Sequence, residues 1–167
     1  MPAGKKELDG RLYDVRGIIS LQGSTLISSS YPYPRQVSGI PVGLEFSRLH
    51  CLIITGWSEP DGTEIGSFVL HYQDGQTKRC PILYGVHVRD LVGGQPALVD
   101  DGGNAPLEHG QVVWTGMNDI AKSLNGYLRL YAATWDNPRP DEQVVSIDFT
   151  SEVTRCALSM LAMTVEP

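Results

Sequence analysis

The sequence predicts an all-β protein, a single antiparallel β-sandwich of the jelly-roll kind. Three observations carry that prediction. Short runs of alternating apolar and polar residues recur along the chain, which is the period of a strand with one buried face. Eighteen glycines and eleven prolines against only 19% charged residues favour strands joined by tight turns over helices. No convincing helical periodicity competes with the strand pattern.

The elements follow in order. Residues 1–11 read as a loose, flexible terminus and 12–167 as one domain. Leu12 to Leu21 reads as a first strand, with Gly17 at a point where alternation falters. Gly23 to Ser30 is hydroxyl-rich, a weak edge strand or a loop, and Tyr31–Pro34 is rigid and extended. Val37 to Val42 is a short extended piece with proline at an edge. Arg48 to Thr55 is nearly continuous in apolar residues, so both of its faces are expected to be covered.

Ile65 to Tyr72 and Cys80 to Val88 are expected to pair across a two-residue turn at Asp74-Gly75. Leu91 to Gln111 lacks periodicity, and a loop of that length is functional or disordered. Val112 to Thr115 is a short strand, followed by a loop or single helical turn over Gly116 to Gly126. Tyr127 onward and Val144 to Phe149 are long strands. Between them Pro138 and Pro140 forbid helix and make a stiff corner. Ala157 to Val165 closes the chain as a last strand.

A length of 167 residues with 41% hydrophobic content suits one domain with a sizeable core. The net charge of −6 and the scattered basic residues argue against a nucleic-acid partner. Cys51, Cys80 and Cys156 show no C-x-x-C spacing and read as small buried hydrophobes rather than as a disulfide framework or zinc site. No apolar run is long enough for a membrane span, and Met1 to Gly10 lacks the apolar segment of an export signal. The expectation is a protein without membrane insertion, with its compartment open.

Several phrases carry a family likeness: Ile40-Pro-Val-Gly43, Arg48-Leu-His50, Thr55-Gly-Trp57, Asp61-Gly-Thr63, His71-Tyr72 with Asp74-Gly75, Tyr84-Gly85, Val88-Arg-Asp90, Trp114-Thr-Gly116, and Thr134-Trp135 with Asn137-Pro-Arg-Pro-Asp141. Over Leu12 to Glu166 the chain resembles a galactose-binding-like, jelly-roll accessory domain of bacterial multidomain proteins. Such domains are appended to glycoside hydrolases and to membrane-anchored anti-sigma regulators. The resemblance implies carbohydrate binding or docking onto neighbouring domains, an extracytoplasmic setting, and no catalysis. The chain departs from the pattern at Ile53, His87 and Leu91-Val92, where the family tends to have a histidine, an aspartate and a tryptophan pair.

Sugars present apolar C–H faces and dense hydroxyls, so a site needs aromatic platforms ringed by polar groups. Trp57, Trp114 and Trp135 each adjoin a polar loop, although each also reads as core packing. Tyr84 and Asp90 fall on one face of an extended Tyr84 to Asp90, with Arg89 on the other. Arg89 offers a planar fork for hydroxyls or carboxylates, or an internal tie between loops. Asp61, Arg89, Asp90 and Asn137 are the expected polar anchors.

Asp100–Asn104, and Glu59 with Asp61, offer the loop oxygens a structural calcium ion takes, without the spacing of a regular calcium loop. The four histidines are dispersed and no G-x-S-x-G elbow occurs, which argues against metal-centred or serine-nucleophile catalysis. The leading expectation is a carbohydrate-binding module. The alternative is a structural or protein-interaction domain, packed on a neighbouring domain or forming a homo-oligomer.

Overall fold

The computed structural model describes residues 1–27, 32–94 and 105–167. Its first element corrects the expectation of a loose terminus. β1 (Gly4–Leu8) and β2 (Arg11–Val15) form a regular hairpin, with Leu8 opposite Arg11. The two turn residues, Asp9 and Gly10, have φ of 55° and 67°, as a two-residue turn matched to strand twist requires. The predicted single strand over Leu12 to Leu21 is in fact split. After Val15 the chain turns through 16–18 and re-enters as β3 (Ile19–Ser20), which belongs to a different sheet.

A 3₁₀ turn at Ser24–Leu26 precedes β4 (Gln36–Leu44) and the predicted strands β5 (Arg48–Gly56) and β6 (Glu64–Tyr72). β7 (Thr77–Leu83) stops earlier than expected. At Tyr84 the chain doubles back, with Gly85 N–H donating to the Val88 carbonyl at 2.9 Å. Strand alternation therefore does not apply to Tyr84–Asp90. β8 (Val92–Gly93), β9 (Gly110–Gly116), the one-turn helix α1 (Asp119–Ser123), β10 (Tyr127–Asp136), β11 (Val144–Ser151) and β12 (Ala157–Glu166) complete the order. Asn118 caps α1 by accepting from Ala121 N–H at 2.8 Å.

All ladders between named strands are antiparallel. The larger sheet runs β3-β12-β5-β10-β8, with β9 also on β10, and the smaller runs β4-β11-β6-β7. Leu128 pairs with both Val92 and Gly116, so β8 and β9 flank opposite edges of β10. The proline corner carries the chain from one sheet to the other, since β10 belongs to the larger sheet and β11 to the smaller.

Between the sheets lies the main core, built on Ile53, Phe68, Tyr72, Trp135, Ile147, Phe149 and their neighbours. A second cluster covers the outer face of the larger sheet: Tyr13 and Val15 of the hairpin pack on Leu52, Ile54, Leu130, Ala132 and Leu161. The two-sided character of Arg48 to Thr55 is realised in this way. Cys51 and Ile53 face the sandwich, while Leu52 and Ile54 face the N-terminal hairpin. His50, on the same outer face, is bonded to the Thr134 hydroxyl at 2.8 Å and the Glu166 carboxylate at 3.0 Å, tying β5 to both neighbours. Among the described residues no helix is long and apolar enough to cross a membrane.

Candidate functional site

One face of β10 breaks the rule that inward positions are apolar. Tyr131, Ala133 and Trp135 belong to the core, but Tyr131 also lines, with Tyr127 and Arg129 at the same parity nearer the strand's start, a cleft of about 400 Å³. Arg89, Gln111 and residues 105–107 complete its walls.

Both guanidiniums are buried and held in place. Arg129 donates from Nε (3.1 Å) and Nη2 (2.8 Å) to the Asp90 carbonyl and lies over the Tyr131 ring at 5.6 Å. Arg89 grips Asp61 with two parallel bonds of 2.6 and 2.8 Å, the fork-to-carboxylate geometry that fixes both groups. Tyr84 supports this arrangement from below. Its ring lies 5.9 Å from the Arg89 guanidinium, and its hydroxyl accepts from Asp90 N–H at 3.2 Å. Asp90 in turn accepts from Val92 N–H at 2.9 Å.

Tyr131 is different. It is 1% exposed, and its hydroxyl has no hydrogen-bond partner among the described residues. Burial pushes its phenol above the ordinary range, against the opposing pull of Arg129 and Arg89, so the group is a neutral O–H. Asp61 and Asp90 balance the two guanidiniums nearby. A cleft with mixed donors and acceptors, near charge balance, suits a neutral polar ligand better than an isolated ion.

The predicted site residues divide sharply. Arg89, Asp61, Tyr84 and Asp90 are brought together, with Arg89 serving first as the internal tie between loops. Trp57 stands at the end of β5 and is 36% exposed, with φ of 63°. Thr55, two residues before it, bridges to Asp90, which places Trp57 at the cleft's end of the larger sheet.

Trp135 is not a platform. It is 6% exposed, meets Phe68 edge-on at 5.0 Å and donates Nε1–H to the Pro81 carbonyl at 2.8 Å. Asn137 is no ligand anchor either. Its Oδ1 accepts from the Tyr72 hydroxyl (2.5 Å) and Arg139 N–H (3.0 Å), and its Nδ2 donates to the Phe46 carbonyl (2.8 Å). Both lie roughly 30 Å along β10 from Tyr127 at the rise of an extended strand. Trp114 packs against the outer cluster under the N-terminal hairpin.

Arg129, Tyr127, Tyr131 and Gln111 were not anticipated. The available signal was a guanidinium flanked at strand parity by two tyrosines, on a strand whose other face is Leu128, Leu130 and Ala132.

Among the described residues no group of three or more His, Cys, Asp or Glu side chains could hold a metal ion. Glu59 accepts from Arg155 N–H at 2.7 Å and Asp61 is committed to Arg89, so their expected calcium role is occupied by protein partners. The Asp100–Asn104 alternative lies outside the described residues. No protein-family model matches the chain, and no curated protein matches it.

Proposed function

We propose that this β-sandwich is a non-catalytic accessory module of the galactose-binding-like, jelly-roll type, and that it binds carbohydrate in the cleft of Arg89, Tyr127, Arg129 and Tyr131. The Tyr131 hydroxyl carries this reading. A buried polar group left unpaired costs about 1–3 kcal/mol, and a ligand hydroxyl entering the cleft would recover it. The half-exposed Tyr127 ring offers a C–H face a stacking surface, and Trp57 extends that surface at the same end of the sheet. The Gln111 side chain, on the cleft wall, adds an amide donor and acceptor for ring hydroxyls.

A broad glycan array, run with calcium and with EDTA, tests the reading. Binding is expected to fall about tenfold in Tyr131→Phe, the equivalent of one lost hydrogen bond, while the melting temperature holds or rises. A blank array on folded protein overturns it.

A second reading, a protein-interaction or structural domain, is favoured by Met117, Ile120 and Leu124, which are large apolar side chains exposed around α1. A blank array with specific retention on a neighbouring domain of its parent protein would select that reading.

A further inference from the structure

The cleft on β10 is lopsided in charge. Arg89 and Arg129 are part of its lining, whereas Asp61 and Asp90, whose oxygens hold the two guanidiniums, are not. Among the described residues no carboxylate lines the cleft. The charges therefore cancel in sum but not in direction, and the cleft sees the positive ends of both pairs. Such a field favours the negative end of a ligand dipole over a bare cation.

The Tyr131 hydroxyl sharpens that choice. It is a buried O–H without a hydrogen-bond partner among the described residues, and a ring hydroxyl that accepted from it would bring a second O–H in need of an acceptor of its own. A carbonyl oxygen is acceptor only, with two lone pairs, and brings no such debt.

Depth and polarity point the same way. Tyr131 is 1% exposed, while Tyr127, four residues earlier on β10, is 36% exposed at the rim. Four residues of extended strand span about 13 Å. A sugar ring stacked on Tyr127 thus reaches Tyr131 only through a substituent that projects beyond the ring hydroxyls. Leu107 and Val112 make part of the wall apolar, and Gln111 stands between them and the strand with an amide oxygen to offer.

We propose that the ligand is a 2-acetamido sugar, an N-acetylhexosamine, bound with its acetamido group inward. The inference rests on the carbohydrate reading of this cleft. The acetamido carbonyl accepts from the Tyr131 O–H, the methyl group lies against Leu107 and Val112, and the N–H donates to the Gln111 side-chain oxygen. The pyranose ring stays at the rim with its C–H face on Tyr127. A plain hexose leaves Tyr131 unpaired, and a free 2-amino sugar brings a cation toward two guanidiniums.

Heteronuclear NMR titration of the intact protein with methyl glycosides tests this. The glycoside of N-acetylglucosamine or of N-acetylgalactosamine should bind about tenfold more tightly than its parent hexose, the equivalent of one hydrogen bond. The 2-amino sugars should bind more weakly than either. Tyr131→Phe removes only an unpaired buried hydroxyl, so it should fold, bring the acetamido sugar down to the level of the hexose and leave the hexose unchanged. Equal affinity for hexose and acetamido sugar, or a preference that survives Tyr131→Phe, overturns the inference and leaves the carbohydrate reading standing. Tighter binding of a glucuronic acid glycoside than of both acetamido sugars also overturns it, by making the cleft an anion site. If the folded protein binds no glycoside and the glycan array is blank, the inference and the carbohydrate reading fall together.

Discussion

The imidazole of His87 lies flat against the indole of Trp135, ring centres 4.7 Å apart and planes within 10°. His109 stacks on it at 5.8 Å, and Nδ1 of His87 accepts from Leu83 N–H at 3.0 Å. Burial first, and the neighbouring His109 second, hold His87 down to about 4 from 6.5. Between these values the unfolded chain binds a proton that the folded chain refuses, so stability falls as pH falls from 6.5 toward 4. Urea unfolding should show a loss of about 2 kcal/mol between pH 7 and pH 5 from this residue. In His87→Asn that slope should flatten, whatever the variant's stability at pH 7. An unchanged slope would place the acid sensitivity elsewhere.

The Arg89–Asp61 pair is lopsided, because the guanidinium side chain is 2% exposed and the carboxylate 46%. Solvent at Asp61 weakens the attraction, yet removing the carboxylate takes the bidentate partner from a buried cation. Asp61→Ala should cost about 1–3 kcal/mol. A Cβ on Gly85 would overlap the Asp61 carboxyl group, so Gly85→Ala should displace the same partner. Chemical denaturation of the double variant should show a cost well short of the sum. Strict additivity would separate the two effects.

Tyr13 anchors the N-terminal hairpin at 1% exposure, and its hydroxyl has no hydrogen-bond partner among the described residues. Tyr13→Phe should be neutral or mildly stabilising, whereas Tyr13→Ala should cost about 3–5 kcal/mol, as for other buried aromatics. Deleting residues 1–16 should expose Leu52, Ile54, Leu130 and Leu161 and yield an aggregating protein. A soluble deletion with an unshifted melting curve would show the hairpin to be an ornament.

This hairpin marks the boundary of what was legible in the sequence. The two-sided apolar run of β5 announced a second cover, but a polar strand with only Leu8 inward gives no alternation of its own, so the Asp9-Gly10 turn after it has no apolar run on its near side to mark a hairpin. The proline corner was legible because ring geometry is local. That it switches sheets was not, since sheet membership depends on distant partners. Arg89, Asp61, Tyr84 and Asp90 were legible as polar residues on turns. Trp135 and Asn137 misled because a tryptophan beside a polar loop looks the same whether its ring faces water or Phe68. Arg129 and Tyr131 were hidden in a strand whose apolar face drew the eye to the core.

The β6–β7 turn differs from the expected two-residue form. Gly75 N–H donates to the Tyr72 carbonyl at 3.0 Å and Tyr72 N–H to the Gln76 carbonyl at 2.9 Å, closing a three-residue loop, Gln73-Asp74-Gly75. Only Gly75 is left-handed, at φ of 83°, which is the loop that ends in a bulge. Gly75→Val should cost about 1–3 kcal/mol, since a β-branched residue resists that conformation. Gly75→Asn should cost less than Gly75→Val. Equal thermal shifts for the two would remove backbone conformation as the cause.

Trp57 is the one tryptophan whose backbone is strained. A bulky residue at φ of 63° sits in a region that costs of order 1–3 kcal/mol, and it does so while 36% exposed, where its ring recovers little by burial. Strain of this kind persists where a side chain is needed in place. Trp57→Gly should relax the backbone and hold or raise the melting temperature, and it should weaken retention on whichever glycan the array identifies. Trp57→Phe should keep much of the binding and all of the strain. A melting point lowered as far as a core aromatic would lower it, in both variants, would return Trp57 to the packing of the sandwich end and leave the Tyr127 ring as the sole stacking surface of the proposed site.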